Sequence, residues 1–145
     1  MGNSCCNGSG VSSQIMHQLE EKRQEIQKIF PGLTSFFILD SEEKPIFTHD
    51  VADERQAEIV SVVGTLKQEV QRTGESLSQG PFSVFHVSGA KELFSCYMIK
   101  EFTLGFFSHH QRNTKKEFLD TSPLDEKMRV IILELANILE TLTIK

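Results

Sequence analysis

At 145 residues the chain is long enough for one domain with a sizeable hydrophobic core. Its net charge of -5 argues against nucleic acid as the main partner and gives no general attraction to anionic lipid. The three cysteines provide no disulfide framework and are typical of a reducing compartment. No apolar run is long enough for a signal peptide or a transmembrane helix, so we expect neither secretion nor a membrane span.

The first residues of the chain indicate attachment to a membrane through acyl chains. Once the initiator methionine is removed, Gly2 is the acceptor for N-myristoylation, and Cys5 and Cys6 lie beside it as candidates for palmitoylation. One myristoyl chain binds a bilayer only marginally, whereas two or more acyl chains bind it stably. The alternative is a polar start with two chance cysteines. We expect 1–11 to be a flexible lipidated tether and 12–145 to fold as one domain.

Hydrophobic periodicity and turn residues predict three helices and five strands. In chain order these are a helix that begins at Ser12 or Ser13 and ends at Pro31-Gly32, strands at 33–39 and 44–48, a helix at 53–72 ended by Gly74, strands at 82–87, 93–99 and 102–107, and a helix opened by Ser122 and Pro123. Lys22 and Arg23 interrupt the apolar stripe of the first helix. The last three strands are joined by short turns and should form an antiparallel meander. This order predicts an α+β fold in which helices cover a five-stranded antiparallel sheet.

The middle helix has a wider apolar surface than packing on one neighbour requires. Val60 and Val62 widen the stripe that contains Val63 to about 160°, against roughly 100° for a one-sided surface helix. The extra width indicates either a deeper core position or a second contact surface.

The order of elements resembles the Roadblock (dynein light chain) fold, which is related to the longin fold, over residues 13–142. The opening hairpin is similar to that of this family, in which a hydrophobic strand ends in Asp before a Gly-x-Pro-like return. Here the strand reads Phe-Phe-Ile-Leu-Asp at 36–40, and Glu43-Lys44-Pro45 stands at the return.

The resemblance implies a protein without catalytic activity that dimerises side by side through the middle helix and a neighbouring sheet edge. Such dimers form platforms that bind small GTPases or motor subunits. On this ground we predict that Val60, Val62 and Val63 contact a partner, in a homodimer or in a heterodimer with another Roadblock-like domain.

Together with the acyl anchor, the resemblance implies an adaptor that recruits or regulates a small GTPase complex. It would act at the cytosolic face of an endolysosomal or plasma membrane. The alternative function is an adaptor subunit linked to dynein or to ciliary trafficking.

No residue pattern predicts a catalytic, cofactor or metal site. Neither Gly-x-Ser-x-Gly, nor His-Glu-x-x-His, nor a phosphate-binding glycine loop occurs in the sequence. His109 and His110 make a poor metal site because neighbours on an extended chain point apart, and we interpret them as solvated loop residues. Cys96 alternates with apolar residues and is expected to be a buried thiol. The basic residues within 112–116 either are solvated or contact anionic lipid.

Overall fold

The computed structural model of the protein describes residues 12–80, 82–109 and 122–143. The elements in these ranges are α1 (Ser13–Ile29), β1 (Leu33–Leu39), β2 (Pro45–His49), α2 (Asp53–Ser76), β3 (Val84–Ser88), β4 (Glu92–Ile99), β5 (Phe102–His109) and α3 (Ser122–Thr143). The predicted order of helices and strands is confirmed. At the start of α1, Ser12 Oγ accepts a hydrogen bond from Ile15 N at 3.2 Å, which makes Ser12 the N-cap.

The five strands form one antiparallel sheet in the order β2-β1-β5-β4-β3. The last three strands form the predicted meander, and β1 joins it beside β5 with Phe37 opposite Gly105. A Cβ at Gly105 would lie 2.4 Å from the Phe37 ring, so glycine leaves the room that this aromatic side chain needs. The strands β2 and β3 form the two edges of the sheet.

Helices cover both faces of the sheet, so the fold has three layers. On one face α1 packs beside α3, and Leu19 and Leu135 are fully buried together with Phe36. On the other face Val63 of α2 packs against Phe37. Consecutive strand residues point to opposite faces, so neighbouring phenylalanines belong to two different cores.

Arg23 lies on the buried side of α1, where the apolar stripe is interrupted, and is only 7% exposed. Glu20 accepts hydrogen bonds from Arg23 Nε at 3.0 Å and Nη2 at 2.7 Å, and Gln27 Oε1 accepts one from Nη1 at 2.6 Å. The bond from Arg23 is the main cause that lowers the pKa of the Glu20 carboxyl. Lys22 pairs with Glu134 of α3, which raises the pKa of the lysine. The apolar stripe of α1 is therefore interrupted by two charged residues with different roles. Arg23 is buried and paired within α1, and Lys22 links α1 to α3.

Gly74, expected to end the middle helix, lies inside α2 instead, because the helix continues to Ser76. A Cβ at Gly74 would lie 2.3 Å from Gly80 O, so glycine lets the following loop return closely against the helix. The Gln71 side chain donates to Phe82 O at 3.1 Å and accepts from Phe82 N at 3.2 Å. These contacts hold the chain that leads into β3 beside α2.

Candidate interaction surface between the middle helix and the edge strand

An open apolar groove lies between α2 and the part of the sheet that ends in β3. It encloses about 210 Å³. The residues that line it are Ile59, Val62, Val63 and Leu66 from α2, Val87 from β3, Phe94 from β4 and Phe107 from β5, together with Arg55 and Glu58. Arg55 and Glu58 are exposed, and the remaining lining is apolar. Open apolar surfaces with a few polar groups are typical of sites that bind a partner or a ligand.

The three residues predicted to contact a partner have different surroundings. Val63 is 2% exposed and packs with Phe37 and Phe94 in the core beneath α2. Val60 is partly buried against the same core. Val62 is 51% exposed and lines the groove. The apolar arc of α2 is therefore divided between the core and the surface. Contact with a partner stays a prediction, and Val62 is the residue accessible for it.

Val87 belongs to the same surface but was not singled out from the sequence. It is 45% exposed on the groove side of β3, and Phe85, two residues earlier, packs against the core beneath α2. Phe85 and Val87 alternate with His86, which indicates a strand with one apolar face. Only the order of strands in the sheet places that face beside α2. Because β3 is an edge strand, its backbone also offers a place for an added strand.

On the opposite face of β3, a polar network joins the start of α3 to the sheet. His86 Nδ1 lies 2.8 Å from Ser95 Oγ, and its Nε2 lies 3.0 Å from Asp125 Oδ1, which also accepts from Tyr97 OH at 2.6 Å. Burial, followed by the contact with Asp125, raises the pKa of the Tyr97 hydroxyl. Ser, His and Asp are the residue types of a hydrolase triad, but Ser95 is fully buried and closed to a substrate. We interpret the network as structural.

Cys96 is fully buried, as the alternation of its strand predicts. Burial raises the pKa of its thiol to about 12, which is opposite to the shift of a reactive cysteine. His109 Nδ1 lies 3.9 Å from Glu92 Oε2, while His110 lies outside the described residues. Within the ranges that the structure describes, no group of three or more His, Cys, Asp or Glu side chains is placed to hold a metal ion.

The predicted lipid anchor lies outside the described residues. This applies to Gly2, Cys5 and Cys6, and also to the basic residues within 112–116. Their acylation and lipid contact stay predictions. None of the described helices combines the length and the apolar composition needed to cross a bilayer.

Neither a known family profile nor a curated protein sequence matches the chain. Solved structures do match it. The Roadblock/LC7 domain from Streptomyces avermitilis superposes with a TM-score of 0.65 at 13% identity, over 81% of this chain and 93% of that one. A structure of MglB with a tetrameric arrangement gives a TM-score of 0.72 at 11% identity, over 91% and 95% of the two chains. The gliding protein MglB from Thermus thermophilus gives 0.70 at 12% identity, over 90% and 95%. The order of elements, the five-stranded antiparallel sheet and these superpositions together show that this chain has the Roadblock/LC7 fold.

Proposed function

We propose that the protein is a non-catalytic adaptor that recruits or regulates a small GTPase complex at the cytosolic face of a membrane. The observation that carries this proposal is the open apolar groove between α2 and β3 on a Roadblock/LC7 fold. The family that the sequence resembles forms its platforms through the middle helix and a neighbouring sheet edge, and these two elements border the groove. A protein that covered the groove would remove Val62 and Val87 from water, which stabilises a complex by about 25 cal/mol per Å² of apolar surface.

A dimer with a Roadblock-like domain is part of this proposal. One of the similar structures, of MglB, has a tetrameric arrangement, which is a precedent for assembly by this fold. The groove and the adjoining edge of β3 are continuous, so one partner can contact both. This partner is either a second copy of the chain or a different Roadblock-like chain.

We also propose that the protein has no catalytic activity. Among the described side chains, the arrangement closest to a catalytic one consists of Ser95, His86 and Asp125, and the burial of Ser95 closes it to a substrate. The groove itself presents Arg55 and Glu58 as its charged groups, and these are exposed side chains rather than a desolvated acid and base.

The predicted acylation of Gly2, Cys5 and Cys6 supports the membrane part of the proposal. The net charge of -5 gives little electrostatic attraction to anionic lipid, so acyl chains are the feature of this sequence that can supply membrane affinity. We propose an endolysosomal or plasma membrane as the location.

Affinity capture from detergent-solubilised membranes tests this function. The full chain should recover a complex that contains a small GTPase. Val62→Asp should lose it, because a carboxylate would be placed in the apolar groove. Gln68→Asp is the matched control, since Gln68 is exposed on the same helix and lies on its side away from the sheet. Recovery of dynein or ciliary subunits would support the alternative function, and recovery of no protein that depends on Val62 would contradict both.

A further inference from the structure

The outer side of α3 carries two apolar side chains that the fold leaves in water. Val130 is 60% exposed and Leu133 is 61% exposed, and a spacing of three residues brings them onto the same side of the helix. In the described ranges, the other large apolar side chains with comparable exposure are Val62 and Val87 of the groove, and Leu77 after α2. Val130 and Leu133 therefore form a second apolar surface, which we call the α3 ridge.

The neighbouring helix of the same layer has a polar outer side. After the first turn of α1, its exposed residues are His17, Glu21, Gln24 and Lys28. A helix that only packs on its own domain can have a fully polar outer side, as α1 does. The α3 ridge therefore indicates contact with something outside the folded domain.

We infer that the α3 ridge contacts the lipid bilayer that holds the tether at 1–11, so that the layer of α1 and α3 faces the membrane. The inference rests on the proposed membrane location of the protein, and it names the surface that the domain presents to the lipid. A helix that lies at a membrane surface buries an apolar side at the level of the headgroups and keeps charged side chains beside it.

The start of α1 lies close enough to the ridge for the predicted anchor to enter the same bilayer. Lys22 of α1 pairs with Glu134 of α3, which follows Leu133 directly in the sequence. Ser12 precedes Lys22 by ten residues, which is about 15 Å along the helix. Cys6 precedes Ser12 by six residues, which can span up to ~20 Å. An acyl chain on Cys6 can therefore enter a bilayer that touches Leu133.

The short tether allows a small surface to be sufficient. Two apolar side chains bury too little area to hold a protein on a membrane by themselves. Once acyl chains hold the chain there, contact of the ridge with lipid becomes an intramolecular step, and its effective concentration depends on the length of the tether. The acyl chains thus supply the affinity, and the ridge sets the orientation of the domain.

Two cations beside the ridge favour a lipid surface as the occupant. Lys127 and Arg129 are exposed within one turn of Val130, and the helical periodicity places them on the two sides of the ridge. Long cationic side chains can lie along an apolar surface while their charged ends reach lipid phosphates. The ridge with its flanks therefore has the residue types of a helix at a membrane surface.

The acidic residues of α3 oppose this contact only weakly. Glu134 pairs with Lys22, and Glu140 Oε1 lies 3.6 Å from Lys100 Nζ. Glu126 is exposed near the start of the helix, where its carboxylate can stay in the hydrated headgroup region. Because the contact is mainly apolar, it should form on neutral lipid as well as on anionic lipid.

This orientation is compatible with the groove as a protein interface. The groove and α2 lie on the face of the sheet opposite to α1 and α3. A domain that contacts the bilayer through the α3 ridge therefore turns the groove, with Val62, away from the lipid.

Tryptophan fluorescence of the full chain tethered to vesicles tests this inference. The sequence contains no tryptophan, so Leu133→Trp introduces a single probe. The chain is coupled through Cys5 or Cys6 to a maleimide lipid in phosphatidylcholine vesicles, while the fully buried Cys96 is closed to the reagent. Tethering should shift the emission of the probe to shorter wavelength, and lipid brominated in its acyl chains should quench it, because the probe moves from water into apolar surroundings.

Gln68→Trp is the matched control, because Gln68 is exposed on α2, on the opposite face of the molecule. The emission of this probe should not shift on tethering. In Val130→Trp, the added substitution Leu133→Asp should abolish the shift, whereas the added substitution Gln68→Asp should not. Circular dichroism should show unchanged folding, since the three positions are exposed.

Two results would overturn the inference. One is an unshifted probe at Leu133 in the tethered chain, and the other is equal quenching of the probes at Leu133 and Gln68. If the tethered probe stays in water but a photoreactive residue at Leu133 is joined to another protein in cells, the ridge binds a protein and not lipid.

This experiment fails separately from the proposed function, because the chemical coupling replaces acylation in cells. If the probe at Leu133 stays in water but membrane capture recovers a small GTPase complex, the adaptor role stands and the ridge does not contact lipid. If the probe enters the lipid but no such complex is captured, the contact of the ridge with lipid stands and the proposed function is wrong.

Discussion

Lys67 of α2 donates a hydrogen bond from Nζ to Glu43 Oε2 at 2.9 Å, which joins the middle of the helix to the turn between β1 and β2. The fully buried Thr103 accepts a second bond from the same ammonium at 2.6 Å. Glu43 has a φ of 66°, in the left-handed region that favours glycine. Glu43 thus stands in the turn at a position where glycine would have less backbone strain. The pairing of the Glu43 carboxylate with Lys67 offsets part of that strain.

Two substitutions at Glu43 separate the backbone effect from the ion pair. Glu43→Ala removes the carboxylate and keeps the strained φ, whereas Glu43→Gly removes the carboxylate and relieves the strain. The glycine variant should therefore be more stable than the alanine variant by about 1 kcal/mol. Urea unfolding followed by circular dichroism measures the difference. An alanine variant equal to or more stable than the glycine variant would show that the turn is not strained.

The fold could be predicted from the sequence because its elements have strong periodicities and clear turn residues. The resemblance implies a sheet edge near the middle helix, but the residue pattern does not say that this edge is β3, since that depends on the strand order β2-β1-β5-β4-β3. The helical pattern also places Val60 and Val62 in one apolar arc, and only the way α2 lies on the sheet shows that Val60 packs against the core and Val62 is half exposed. The place of Val87 in the groove likewise follows from the sheet order and not from the pattern of its own strand.

Packing between elements also limits what the sequence pattern can predict about single residues of the helices. Arg23 looks like a break in the apolar stripe, because the sequence does not reveal that this side of the helix is buried. Glu20 and Gln27 satisfy its guanidinium one turn away on each side. In the same way, Gly74 looks like a helix end, although it serves the close return of the chain at Gly80. The burial of Arg23 and the close return of the chain at Gly80 depend on packing, which local pattern does not contain.

The free energy of unfolding should decrease at alkaline pH. Burial raises the pKa of the Cys96 thiol from 9.0 to about 12, and burial with the Asp125 contact raises the pKa of Tyr97. Between pH 9 and about 12, the unfolded chain therefore releases the Cys96 proton while the folded chain keeps it. The contribution of Cys96 is full below pH 9 and falls by up to ~1.4 kcal/mol per pH unit above it.

Cys96→Ala should flatten the first part of this decrease, and Tyr97→Phe should flatten only the part above about pH 10. Urea unfolding at a series of values from about pH 8 to about pH 11 measures the slopes. The same slope above pH 9 in the wild type and in Cys96→Ala would contradict the role assigned to the thiol.

Val63→Asp should destabilise the fold, whereas Val62→Asp should not. Val63 is 2% exposed, so its replacement would bury an unpaired carboxylate, at a cost of several kcal/mol against a total stability of about 5–15 kcal/mol. Val62 is 51% exposed, so its replacement should leave the fold intact. Thermal melting by circular dichroism compares them. A Val63→Asp variant that melts like the wild type would place this residue at the surface rather than in the core.

Gly2→Ala should release the protein from membranes, because it removes the acceptor of the myristoyl chain. Cys5→Ser combined with Cys6→Ser should leave weak and reversible binding, since a single myristoyl chain is marginal. Ser4→Ala is the matched control within the same segment. Cell fractionation gives the result, and unchanged membrane recovery of Gly2→Ala would contradict the proposed anchor.

Photo-crosslinking on α2 tests most directly whether the groove is a protein interface. A photoreactive amino acid is placed at Val62, inside the groove, or at Gln68, which is exposed on the side of the helix away from the sheet. After irradiation in cells, the probe at Val62 should be joined to a second polypeptide, either another copy of the chain or a different protein, and the probe at Gln68 should not. Cross-links of equal yield at both positions, or at Gln68 alone, would contradict the assignment of the groove between α2 and β3 as the surface through which this protein acts.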